Sequence, residues 1–227
     1  MNAGFAETGR HLVLYLVTII LSLTVHEFAH AFVADRLGDD TPRRQGRLTL
    51  SPLAHADPVG TLLFPAISIL GFGFALFGWA RPVETNPSRY TRRMSARNGH
   101  RLVAAAGPMS NLVLATLCMA GIAIMVRVHP SMSALSGTAR AALTLLATMV
   151  QVNVGLCVFN FLPIPPLDGS RLLPRSLDTV QAVIAPYSFL ILMLVLNVPV
   201  LSQLFFWPVR LLNAALQALF GLDVGLA

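Results

Sequence analysis

Residues 23–38 read LTVHEFAHAFVADRLG, and they set two histidines and a glutamate inside an otherwise lipid-soluble segment. That apolar stretch runs from about Leu12 to Ala34 and is interrupted only by His26, Glu27 and His30. Ionisable groups at such a depth are expensive: insertion scales give about 2.5–3.5 kcal/mol for an Asp or Arg at a helix centre. Their spacing suggests why they are there. Positions i and i+4 are neighbours on one helix face, so both imidazoles can meet one metal ion while Glu27 stands beside it, able to take a proton from water. Two neutral imidazoles and one oxygen ligand suit zinc, one ion per chain.

The rest of the chain agrees with a membrane setting. Its 227 residues are 55% hydrophobic and 11% charged, with a mean hydropathy of +0.69, whereas soluble domains carry about 25% charged residues. The net charge of +6 comes from arginine alone, since the chain has no lysine. These arginines lie mainly between apolar runs, which fits anchoring to anionic membrane lipid and excludes nucleic acid as the expected partner. Cys118 and Cys157 both fall in apolar runs and read as small buried hydrophobes. The first apolar stretch runs into the HEFAH motif instead of a small-residue cleavage site, so it does not read as a secretory signal.

Charge-free runs cover Val59–Ala80, Leu102–Val126, Ala141–Leu167 and Thr179–Val209, with a shorter one at Leu211–Leu222. A spanning helix needs about 20 residues. The expected fold is an all-α polytopic membrane protein with six membrane-embedded segments, organised as a single membrane-embedded domain over 1–227. Its core is read over 11–182, with C-terminal hydrophobic segments over 183–227. Pro163, Pro165 and Pro166 break the run in NFLPIPPLDG, and non-helical backbone at membrane depth belongs where protein or a water-filled cavity surrounds it. RRQGRLTLS (43–51) reads as a short surface strand, and GFGFALFG (71–78) as a helix end or a re-entrant hairpin. Two arginine-rich loops, 36–47 and 81–101, would face opposite sides if 59–80 were a simple span, against the positive-inside rule. A re-entrant second segment removes the conflict.

HExxH supplies two protein ligands, so a third must come from elsewhere. Asp168 is one of very few carboxylates at membrane level and follows the proline break, which makes it the best third ligand; the competing role is an N-cap for the helix that follows. Asp57, Glu84 and Asp178 lie in loops or at their margins, and Asp35, Asp39 and Asp40 would have to reach back along their own segment.

HEFAH, GRLTLSPLAHADPVG, FGWARPVETNP, AAGPMSN and NFLPIPPLDGSR occur in that order, from about residue 24 to 175. Together they resemble the site-2 protease family of intramembrane zinc metalloproteases, in a short form without a PDZ or CBS domain. The resemblance implies a zinc endopeptidase that hydrolyses peptide bonds in or near the transmembrane segment of a membrane-protein substrate. It implies His26, His30 and Asp168 as zinc ligands and Glu27 as the general base. It also points to Asn111 and Asn160 as groups that bind substrate backbone or support an oxyanion. Interhelical bonding for Asn111 and capping of freed carbonyls for Asn160 are the alternatives. His55, in SPLAHADPVG, reads either as a turn residue or as a support or gate for substrate. Ser51 stands where relatives often have Asn, and Glu84 where an apolar residue or Pro is usual. The chain is expected to be an integral, multi-pass protein of a prokaryotic cell membrane. A metal-ion transporter or binding protein using the same His and Asp residues is the alternative function, and Glu27 separates the two, because a transport site does not require a base beside its ligands.

Overall fold

A computed structural model describes residues 2–72, 78–91, 94–129 and 136–222. Its helices are α1 (Asn2–Arg36), α2 (Thr41–Arg44), α3 (Pro52–His55), α4 (Phe64–Phe72), α5 (Ala96–Val128), α6 (Gly137–Asn160), α7 (Asp168–Leu172), α8 (Asp178–Ile184), α9 (Ser188–Asn197) and α10 (Pro199–Phe220). A π-helical turn, Pro58–Leu63, leads into α4. Four helical stretches are long and apolar enough to cross a bilayer: Thr8–Arg36, Ala96–Val128, Gly137–Asn160 and Arg175–Asn197. The apolar stretch Pro58–Leu70 is shorter, and at 1.5 Å per residue it spans about 20 Å of a core roughly 30 Å thick. The chain is thus an all-α membrane protein.

The long helices pack small and polar faces inward and leave large apolar side chains outward, as expected where lipid is as apolar as leucine. On α1, Thr18, Ser22, His26 and His30 recur every fourth residue and are all buried, whereas Val13, Val17 and Leu21 are exposed. On α5, Ala115, Cys118, Met119 and Ile122 pack against Met149, Val150 and Val154 of α6 and Val209 and Leu216 of α10. Val113, Leu117 and Ile124 point away from that seam. Serine caps start both helices: Ser95 accepts from the Asn98 N–H and Ser136 from the Ala139 N–H, each at 3.2 Å.

The surface strand expected at 43–51 does not form, and no strand occurs among the described residues. Pro42 opens the short α2 instead, Gly46 turns the chain at φ +68°, and Pro52 opens α3. Two prolines and a left-handed glycine leave too little continuous backbone for a ladder. The stretch 71–78 is described only at its ends: α4 runs to Phe72, and residues 73–77 lie outside the described residues.

The two arginine-rich loops meet at one end of the bundle. Thr91 N–H donates to Leu37 O (2.6 Å), Asn86 N–H to the buried Asp39 (2.5 Å), and the Gln45 amide to Glu84 (2.7 Å). The same end receives α7, which packs against α5.

Candidate metal centre

His26 and His30 enter the site one helical turn apart on α1, and their Nε2 atoms lie 3.0 Å from each other. Asp168, at the start of α7, brings one carboxylate oxygen to 3.2 Å from each of them. Three ligand atoms therefore form a nearly equilateral triangle. Each ring's other nitrogen is already bonded: His30 Nδ1 donates to Val103 O at 2.7 Å, and His26 Nδ1 meets Asn111 Oδ1 at 2.7 Å. A backbone carbonyl only accepts, so Nδ1 of His30 carries a proton and the neutral ring presents a lone pair at Nε2. Two such lone pairs and a carboxylate oxygen repel unless a cation joins them. A tetrahedral zinc with bonds of 2.0–2.2 Å sets neighbouring ligand atoms about 3.4 Å apart. The donor set and its spacing fit that ion, and the bonded outer nitrogens are the usual support for metal-binding histidines.

Glu27 completes the cluster, with ligand-type atoms of His26, Glu27 and His30 all within 4.8 Å of one another. Its Oε2 accepts the Val83 N–H at 2.9 Å, and its other oxygen has no hydrogen-bond partner among the described residues. Arg47, whose guanidinium donates to Ala54 O, and Arg81 line a neighbouring polar cleft with Glu84. Burial, and next the Arg81 charge, push Arg47 below its ordinary value, while Glu27 and Glu84 pull it back up.

The backbone leaves room for this arrangement at two glycines. A side chain at Gly107 of α5 would collide with His30 Nε2 and come within 2.6 Å of the His26 ring. One at Gly169 would strike the carbonyls of Phe161 and Leu162 and keep α7 from docking under the proline-rich turn. In that turn the Pro165–Pro166 peptide is cis.

A cavity of about 560 Å³ opens onto His26, Glu27, His30 and Asp168. Tyr15, Ile19 and Leu23 of α1, Leu156 of α6 and Phe205 and Phe206 of α10 form much of its wall. Asn160 lines it as well; its amide donates back to Leu156 O at 3.0 Å, and its carbonyl oxygen has no hydrogen-bond partner among the described residues. Asn111 lies elsewhere. It is fully buried behind His26, outside the cavity, and its amide donates to Ser22 O (3.2 Å) and Asn153 Oδ1 (2.8 Å). His55 also stands outside the cavity: its buried ring donates from Nε2 to Thr49 O, and its own carbonyl accepts the Arg81 N–H, both at 2.8 Å. It therefore ties the 49–55 loop to the segment that holds Glu27.

Several contributors were not evident from the sequence. Val103 and Val83 act through backbone atoms, which no side-chain pattern marks. Asn153 and Ser22 sit in apolar runs, and their polarity at membrane depth was the available signal.

Comparison with known proteins agrees with this site. The family model described as Peptidase family M50 matches residues 14–198. A Bacillus subtilis protein named "Putative zinc metalloprotease YwhC" is 40% identical over 212 residues, covering 91% of this chain and 89% of its own length. The Rip2 proteins of Mycolicibacterium smegmatis and Mycobacterium tuberculosis bear the same description. Each is 34% identical, covering 86% and 82% of this chain and 70% and 68% of their own lengths. No solved structure matches significantly. With the family model spanning most of the chain and a zinc-fitting donor set at its centre, this protein is a zinc metalloendopeptidase that belongs to peptidase family M50, the site-2 protease family.

Proposed function

We propose that this endopeptidase cuts its substrates inside the membrane, at or beside the transmembrane segment of a membrane protein. The observation that carries the reading is the cavity: an apolar chamber among helices long enough to span a bilayer, opening directly onto His26, Glu27 and Asp168. A soluble peptide would not need apolar walls such as Ile19, Phe205 and Phe206.

In this reading His26, His30 and Asp168 hold the zinc. Zinc bound there supplies Lewis acidity toward the scissile carbonyl and makes water a stronger acid. Glu27 takes the proton from the attacking water and hands it to the leaving amide nitrogen. The Val83 N–H fixes one oxygen of Glu27, so the other is free to carry that proton. Asn160 faces the substrate backbone across the cavity.

A helical peptide bond is shielded by its own hydrogen bonds, so the substrate must unwind locally. Segment 78–86 is suited to receive it. Trp79, Arg81 and Val83 donate inward, to Gly60 O (3.2 Å), His55 O (2.8 Å) and Glu27 (2.9 Å). Between them, the backbone groups of Ala80 and the carbonyl of Pro82 have no hydrogen-bond partner among the described residues and are offered to an added strand.

We further read residues 1–227 as one membrane-embedded domain, multi-pass and in contact with lipid. Both arginine-rich loops would lie on the cytoplasmic side, consistent with the hydrogen bonds that join them. The named relatives are bacterial, which supports a prokaryotic cell membrane.

The test is cleavage of a model single-pass substrate by detergent-purified protein, wild type against Glu27→Gln, with the cut mapped by mass spectrometry. The reading expects cleavage within or next to the apolar segment by wild type only. Equal cleavage by both proteins, or cuts confined to soluble regions, would refute it.

A further inference from the structure

The two metal-facing histidines are oriented by different means. His30 Nδ1 faces a backbone carbonyl, that of Val103, and a carbonyl cannot become a donor. His26 Nδ1 faces the side-chain amide of Asn111, which could present either its oxygen or its NH₂. Were the amide reversed, its NH₂ would donate to Nδ1, and the ring proton would move to Nε2, into the triangle of ligand atoms. Something must hold the amide in the other sense.

Two buried residues on two other helices do so. Asn111 Nδ2 donates to Ser22 O (3.2 Å) on α1 and to Asn153 Oδ1 (2.8 Å) on α6. Asn153 in turn donates from Nδ2 to Met149 O and to Ser22 Oγ, each at 2.8 Å. Ser22, Asn111 and Asn153 are all 0% exposed, so water cannot substitute for any partner. The chain of bonds ends on two backbone carbonyls, Met149 O and Ser22 O, and these accept only. Their polarity propagates in one direction: carbonyl, Asn153, Asn111, His26. Reversing either amide would aim an oxygen at a carbonyl in a dry interior, which is costly.

We propose that Asn153, anchored by Met149 O and Ser22, is a positioning residue that holds the Asn111 amide in the sense which keeps the His26 Nε2 lone pair turned toward the zinc. The relay deepens the reading that His26, His30 and Asp168 bind zinc, and it rests on that reading. It makes α6, which supplies none of the ligands, a determinant of metal affinity.

The test is zinc affinity by chelator competition on the detergent-purified full chain, with thermal unfolding of the metal-free protein measured in parallel. Outer partners of metal-binding histidines are worth about 10–100-fold in affinity, and Asn111→Leu should lose that much. Asn153→Leu should lose about 3–10-fold, acting one bond further out. Asn153→Asp, whose protonated carboxyl can donate to Met149 O while its other oxygen accepts from Asn111 Nδ2, should stay within about twofold of wild type. Packing alone predicts the reverse order, because leucine is close in size to asparagine whereas a buried carboxylate is costly. In an Asn111→Leu background, Asn153→Leu should have no further effect, since its route to His26 is already cut. If Asn153→Leu does not accumulate, Asn153→Ala must show the same loss. Unchanged affinity in these variants, weaker binding by Asn153→Asp than by Asn153→Leu, or additive losses in the double variant would overturn the relay and leave the metal site standing. Absence of zinc from wild type would overturn the metal site itself, and the relay with it.

Discussion

Two seams run through the same bundle and share helices α5 and α6, yet they are held together differently. In one, Met119 and Ile122 of α5 pack against Val150 and Val154 of α6 and Val209 of α10 through apolar side chains, with one Asn213–Gln151 hydrogen bond beside them. In the other, α1, α5, α6 and α7 meet through His26, His30, Asn111, Asn153 and Asp168. Lipid receives a methionine about as well as a protein interior does, so the first seam depends on shape. An unpaired imidazole or amide has no such alternative in lipid, so the second seam admits one arrangement. The apolar seam sets how near the helices come; the polar seam sets where the ligand atoms point.

The comparison can be broken at several points, and the largest effect belongs to the ligands. Asp168→Ala should abolish both zinc binding and cleavage, because two imidazoles alone leave the ion with too few protein ligands; metal analysis and a cleavage assay check it. Glu27→Gln should lower cleavage by about 10²–10⁴-fold with zinc content unchanged, the contribution of a general base. Single-turnover kinetics on the zinc-loaded variant would show this. Gly107→Ala adds a methyl group against both histidine rings and should weaken zinc binding about tenfold or more, as loss of oriented support does. Met119→Ala, in the apolar seam, should leave zinc affinity unchanged and reduce stability by about 2 kcal/mol, read as a lower melting temperature. A drop in zinc affinity there would mean that the two seams are not separable.

The fold and the site were legible in the sequence to different depths. The three ionisable groups of HEFAH stood out because lipid makes them improbable, and Asp168 because membrane-level carboxylates are so few. The long apolar runs marked the spanning helices, and the prolines at 163, 165 and 166 marked the turn that carries Asp168 inward. The strand expected over 43–51 does not form because Pro42, Gly46 and Pro52 punctuate that segment more strongly than the residues between them favour a ladder. Asn111 reads as a group for substrate backbone or an oxyanion, with interhelical bonding as the alternative, and the sequence does not say which way it faces. The structure has it behind His26 and not toward the cavity. The carbonyl of Val103 and the N–H of Val83 were invisible, since any residue could provide them. What a side chain's chemistry announces can be read in advance; what the backbone supplies depends on the packed helices.

The most direct test of the central claim is X-ray absorption at the zinc edge on purified wild type and Asp168→Ala. The account predicts about one zinc per wild-type chain, with two imidazole nitrogens at about 2.0–2.1 Å and a carboxylate oxygen, and loss of that ion in the variant. Zinc retained in Asp168→Ala with an unchanged ligand shell would contradict it.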